Sequence, residues 1–198
     1  MKLDLVHDIQ AAYRKTLDSM SRPGLIRNFR KQADNLNMEI NCFDSTLVLV
    51  LMLFDTEVKF KVCSKREAEM AKLINQLTYA KATEVGSADY ILVLNDALPE
   101  DLEKALIMAY PGDLLDPHKA ATIIIEADTV SNERDLTLTG PGIEKQCYID
   151  VQITGRWIEL RAEKNAEYPL GIDLIFTDRV GNILCLPRTT QIKKQVAE

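Results

Sequence analysis

The stretch Tyr168 to Thr190, YPLGIDLIFTDRVGNILCLPRTT, sets two short apolar runs, Ile172 to Phe176 and Ile183 to Leu186, around Asp178-Arg179-Val180-Gly181-Asn182. A cluster of Asp, Gly and Asn between runs of that length is turn chemistry, so the segment reads as a β-hairpin. Pro-Leu-Gly leads into it, and Pro187-Arg188-Thr189-Thr190 closes it.

Upstream, helical and strand patterns alternate. Val6, Ile9, Tyr13, Leu17 and Met20 recur at helical spacing, predicting a helix to about Ser21. Arg22-Pro23-Gly24 stops it, because proline cannot continue the ladder and glycine accepts left-handed dihedrals. Asp44, Ser45 or Thr46 is positioned to cap a second helix through about Phe54, although its Leu/Val run also suits a strand. Val58 to Cys63 alternates as a half-buried strand, and Ser64 with Glu67 fits a capping box ahead of the stripe Met70, Leu73, Ile74 and Leu77. Tyr90 to Leu94 reads as an apolar strand, Pro99 opens a helix with Glu100 and Asp101 in its first turn, and Ala121 to Ile125 and Leu136 to Thr139 read as strands. A helix over Trp157 to Lys164 precedes the hairpin. Strand–helix alternation closed by a strand pair predicts one α/β domain over residues 1–198 with a mixed sheet.

The 198 residues carry a net charge of −6, which argues against nucleic acid or an anionic membrane as the main partner. The N-terminus lacks a signal-peptide core, and the longest apolar run, Leu47 to Phe54, is far too short to span a bilayer, so a cytoplasmic protein is expected. The cysteines Cys42, Cys63, Cys147 and Cys185 are scattered in apolar surroundings and are expected to be free thiols rather than disulfides or metal ligands. No P-loop, Rossmann fingerprint or nucleophile elbow is present: Gly140-Pro141-Gly142 is followed by Lys145 where a third glycine would stand. The two histidines, His7 and His118, sit in no catalytic or metal motif.

Three features carry candidate chemistry. Arg22 and Gly24 terminate the first helix; Arg22 either caps it or engages a carboxylate or phosphate of a ligand or partner. Basic residues crowd Arg14 to Lys31 while acids crowd Glu84 to Asp128, either as solvated faces or as a field that steers a polyanion or an acidic partner. Asp173 lies inside an apolar strand, where a carboxylate needs a partner, and Arg188 just past the next strand is placed to supply it bidentately. That pair reads as a structural clamp, with ligand contact as the alternative. Thr189 and Thr190 are either the polar start of another strand or donors to an anion.

Taken together, four blocks resemble the PhnH family. They are Tyr13-Arg14-Lys15 through Met20-Ser21-Arg22-Pro23-Gly24, Tyr110-Pro111-Gly112 through Thr122, Leu136-Thr137-Leu138-Thr139-Gly140-Pro141-Gly142-Ile143, and the C-terminal hairpin. Each block is weak alone; four in order along the chain are specific. The resemblance implies a subunit of the bacterial carbon–phosphorus lyase core complex, assembled with PhnG, PhnI and PhnJ and dimeric in isolation. It implies a core like that of pyridoxal-phosphate-dependent transferases without use of that cofactor, and no metal or cluster of its own. In the implied pathway, phosphonate displaces adenine from ATP to give ribose 1-phosphonate 5-triphosphate, and a radical step on another subunit breaks the carbon–phosphorus bond. The favoured expectation is a structural and interaction subunit. The rival is a subunit with its own site, either nucleosidyl transfer or residual pyridoxal-phosphate chemistry, for which Lys119 is the best Schiff-base candidate.

Overall fold

The computed structural model of the protein describes residues 3–36 and 40–195. A seven-stranded sheet forms its centre, built from β1 (Arg27–Asn28), β2 (Lys59–Cys63), β3 (Lys81–Ala82), β4 (Tyr90–Val93), β5 (Thr122–Glu126), β8 (Asp173–Thr177) and β9 (Asn182–Leu186) in the order β1-β9-β8-β5-β4-β2-β3. β8, β5, β4, β2 and β3 run parallel, and β9 pairs antiparallel with both β8 and β1. The predicted hairpin is β8–β9, with Phe176 opposite Leu184 and Ile175 opposite Cys185.

Side chains alternate across this sheet, and both faces are dry. Ile91, Val93, Ile123, Ile125, Leu174, Phe176, Leu184 and Leu186 point into one apolar cluster, with α5 (Pro99–Met108) and α6 (Trp157–Lys164). Leu92, Ile124, Ile175, Ile183 and Cys185 point into the other, with α1 (His7–Ser21), α3 (Asp44–Leu53) and α4 (Glu67–Thr78). The near-continuous apolar runs follow from this: strands covered on both sides have no polar face to show. The short α2 (Arg30–Ala33) follows β1.

The mixed sheet flanked by helices matches expectation, but a second sheet adds to it. β6 (Thr129–Thr139) pairs antiparallel with β7 (Cys147–Gln152) and with β10 (Gln191–Lys194), in the order β10-β6-β7. The predicted strand Leu136 to Thr139 is only the end of β6, whose register shifts between Ser131 and Leu136. That irregularity, within Ser131-Asn132-Glu133-Arg134-Asp135, breaks the alternation a sequence reading depends on.

Two further details differ. The Leu/Val run is helix α3, and none of Asp44, Ser45 or Thr46 caps it: Phe43 is its N-cap, without a side-chain hydrogen bond. The hydroxyls of Ser45 and Thr46 turn to the sheet instead, meeting the Asp178 carbonyl at 3.4 Å and Thr177 Oγ1 at 3.0 Å. The Ser64–Glu67 capping box does not form. Helix α4 starts at Glu67 itself, Ser64 Oγ accepts the Arg66 N–H at 3.0 Å, and the Glu67 carboxylate takes Lys61 Nζ at 2.6 Å.

Candidate functional site

Asp173 opens β8 and Arg188 follows β9, and the hairpin register brings them together. Arg188 Nη2 donates to Asp173 Oδ2 at 2.8 Å and Nε to Oδ1 at 3.4 Å, while the Arg188 backbone N–H reaches Oδ1 at 2.7 Å. Both side chains are about four-fifths covered. The guanidinium also donates from Nη1 to the Pro117 carbonyl at 2.8 Å and the Pro169 carbonyl at 3.4 Å. Arg188 therefore spends its donors on protein: one carboxylate and two loops far apart in sequence.

At the end of α1, Arg22 and Arg27 both pair with Asp18, so the arginine at the helix stop is engaged within its own helix. Gly24 adopts φ +92°, and a β-carbon there would run into Cys147 Sγ on β7. Its carbonyl accepts Asn132 Nδ2 at 3.0 Å, and the Cys147 thiol donates to the Pro23 carbonyl at 3.3 Å. Thr189 makes no side-chain hydrogen bond among the described residues. Its neighbour Thr190 is buried, and the Thr190 carbonyl accepts Arg161 Nη1 at 2.9 Å. Rather than starting a strand, these threonines form the link into β10.

Sequence reading missed three groups of residues. Arg161 is buried in α6 and holds the carbonyls of Leu186, Pro187 and Thr190; burial lowers its pKa to about 10, offset in part by the Asp173 charge. Its partners are backbone oxygens, which no side-chain pattern betrays. Glu126, at the C-terminal end of β5, accepts the Phe43 N–H at 2.6 Å and both Asn95 N–H (3.0 Å) and Nδ2 (2.6 Å), tying the start of α3 to the end of β4. Burial pushes this carboxyl above its ordinary range against the pull of those donors. Finally, a cavity of about 830 Å³ opens outside the C-terminal end of β8, where open α/β sheets place their ligands. Arg30, Arg179, Asn41 and Ser45 line it beside Asp34 and Asp44, and the Arg179 guanidinium lies 5.1 Å from the centre of the Phe43 ring. Burial, with Asp34 nearby, raises the Asp44 pKa. Asp178 lines the cleft as well, but its carboxylate accepts from the N–H groups of Val130, Val180 and Asn182 and from Asn182 Nδ2. That leaves two guanidinium groups facing the carboxylates of Asp34 and Asp44.

The remaining candidates fall to ordinary roles. Lys119 is exposed and bonded to Asp116 at 2.5 Å, which raises its pKa, the reverse of what a Schiff-base lysine needs. His7 pairs with Asp4 at 2.8 Å, exposed. All four cysteines are free, and burial pushes their thiols up, to about 11 for Cys63 and about 12 for Cys185. Among the described residues no cluster of His, Cys, Asp and Glu is arranged to hold a metal ion.

The sequence model for "Bacterial phosphonate metabolism protein (PhnH)" matches residues 3–193. The chain belongs to the PhnH family. It is similar to "Putative C-P lyase subunit protein HtxG" of Stutzerimonas stutzeri, 28% identical over 186 residues, covering 92% of this chain and 85% of the relative. It is also similar to "Alpha-D-ribose 1-methylphosphonate 5-triphosphate synthase subunit PhnH" of Rhizobium meliloti (strain 1021), 28% identical over 196 residues, covering 97% and 94%.

In this PhnH-family chain the four blocks that carry the likeness meet in pairs. Gly142 of the third block packs on the Ser21 carbonyl and Pro23 of the first, so tightly that a β-carbon would collide with both. The second and fourth blocks are joined through Arg188 to Pro117 and through the Gly171 N–H to the Pro111 carbonyl at 2.9 Å. The motif residues thus hold turns and loops against each other.

Proposed function

We propose that this chain is a structural and interaction subunit of a carbon–phosphorus lyase core complex, supporting formation of ribose 1-phosphonate 5-triphosphate from ATP and an alkylphosphonate. One observation carries the reading: the family match spans residues 3–193, and both relatives, matched over most of their length, are named as subunits. The geometry supports it, because Asp173, Arg188, Arg22 and Gly24 spend their chemistry on internal contacts. The partners in this reading are PhnG, PhnI and PhnJ, with a homodimer in isolation, a cytoplasmic location and no resident cofactor. No helix among the described residues is long and apolar enough to cross a membrane, which agrees. The expected pyridoxal-phosphate-transferase-like core belongs to the same reading and is supported by the parallel run β3-β2-β4-β5-β8. Co-expression with PhnG, PhnI and PhnJ, followed by size-exclusion chromatography and an adenine-release assay with ATP and methylphosphonate, tests it. This chain should co-elute with the others and release no adenine alone; adenine release by the isolated chain overturns it in favour of an enzyme.

The cavity beside Arg30 and Arg179 supports a second reading, in which the subunit also shapes an anion site. Arg30→Ala with Arg179→Ala should then slow adenine release by the assembled complex at least 10-fold while assembly persists. Unchanged release removes this reading and leaves the first.

A further inference from the structure

A group of exposed apolar side chains lies at the end of α5 and on two loops tied to each other. Leu115 is 93% exposed, Tyr168 80% and Leu114 76%, with Ile107 and Met108 at the helix end about half exposed. Exposed apolar residues concentrated in this way mark interaction surfaces. Ile107 also lines a groove of about 370 Å³ beside these residues, together with Pro111, Leu160 and Leu170 and with Glu163, Lys164 and Glu167.

The platform is fixed in place. The Gly171 N–H ties the two loops at Pro111, and Arg188 spans the carbonyls of Pro117 and Pro169, so the clamp with Asp173 also sets the loops bearing Leu114, Leu115 and Tyr168. The groove's cation is already used: Lys164 Nζ donates to the carbonyls of Ile107 (2.6 Å) and Ala109 (3.1 Å). Glu163 and Glu167 are exposed and have no ion-pair partner among the described residues. The result is an apolar floor whose rim, two carboxylates against one tethered ammonium, is net anionic. Its complement is an apolar surface carrying Lys or Arg. Two copies of this groove face to face would set Glu163 and Glu167 against their own kind, which disfavours a symmetric self-contact here.

We propose that this groove, together with the exposed loop beside it that bears Leu114 and Leu115, docks a basic, apolar segment of another subunit of the complex. The proposal rests on the subunit reading above. Two variants test it in the co-expression experiment with PhnG, PhnI and PhnJ: Leu114→Asp with Leu115→Asp, and Glu163→Lys with Glu167→Lys. All four side chains are exposed, so both variants should melt with the wild type; should one fail to fold, the other carries the test alone. The expected result is wild-type chain in the assembly, each variant bound at least 10-fold more weakly, and wild-type binding that weakens as salt is raised. Variants that assemble like wild type overturn the groove and leave the subunit reading standing. A wild type that joins none of the three overturns both. Variants that lose only self-association, seen by sedimentation of the chain alone, identify a second copy as the occupant and also overturn the proposal.

Discussion

An arginine beside a carboxylate in a strand is legible from sequence, because an acid among Ile, Leu and Phe has few ways to persist. Asp173 and Arg188 meet as that reasoning expects, but the pair does more than balance charge. Its guanidinium also binds the Pro117 and Pro169 carbonyls, so truncation leaves a carboxylate and two carbonyls short of donors at one point. Arg188→Ala is expected to cost about 3 kcal/mol in urea unfolding, near the lower end for breaking a covered ion pair because solvent still reaches the site. Arg188→Lys keeps the charge but loses the fork and should fall about midway. An alanine variant as stable as wild type removes the structural role. Glu126 gives a different signature. Burial raises its carboxyl above the ordinary 4.5, so in the window just above that value the folded state holds more proton than the unfolded chain. Its stabilising contribution is complete below 4.5 and is lost as pH rises through the folded value. Relative to Glu126→Gln, which cannot titrate, wild type should lose melting temperature as pH climbs from 4.5 towards neutrality. A difference that is flat or grows with pH refutes this. Nothing in the sequence singled Glu126 out, since its partners are the N–H groups of Phe43 and of Asn95, remote along the chain.

Among elements, a face with contrast or a marked turn was readable, and a uniform run without either was not. The stripe of α4 gave its period away, while β8 and β9, apolar on both faces, were legible from their length and the turn residues between them. The Leu/Val-rich α3 suited helix or strand equally, because six of its residues in a row, Ser45 to Val50, are buried and no polar face marks a period. β7 went unread because Asp150 is buried within it and Tyr148 is half-covered, against the usual alternation. The Arg-Pro-Gly stop was read correctly as a helix end, but its wider role was hidden: it docks α1 onto the second sheet. Gly24→Ala should therefore be costly twice over, once for a side chain at φ +92° and once for the collision with Cys147 Sγ. Removing the sulfur isolates the second part. Gly24→Ala is expected to lose about 2–3 kcal/mol in the wild-type background and about 1 kcal/mol less beside Cys147→Ala. Strict additivity in that double-mutant cycle shows that the contact between α1 and β7 is not tight.

At the scale of the whole molecule, one sheet is shared by two apolar clusters that alternate residue by residue. Ile123 and Ile125 belong to one, Ile124 between them to the other. Because neither cluster can dissolve without exposing half of the same strands, residues 1–198 are proposed to unfold as one unit. The chain carries its own reporter. Trp157 is the single tryptophan and lies in the cluster with α5 and α6, its ring 5.1 Å from Phe176. Leu49 is buried in α3, within the opposite cluster. Leu49→Ala should destabilise the protein by about 2–5 kcal/mol through lost burial and the cavity left behind. If the sheet couples its two sides, Trp157 fluorescence will report the same drop in urea midpoint as far-UV circular dichroism, although the mutated side chain belongs to the other cluster. A Trp157 midpoint that stays at the wild-type value while the dichroism midpoint falls means that the two faces unfold separately, and residues 1–198 then hold two cooperative units.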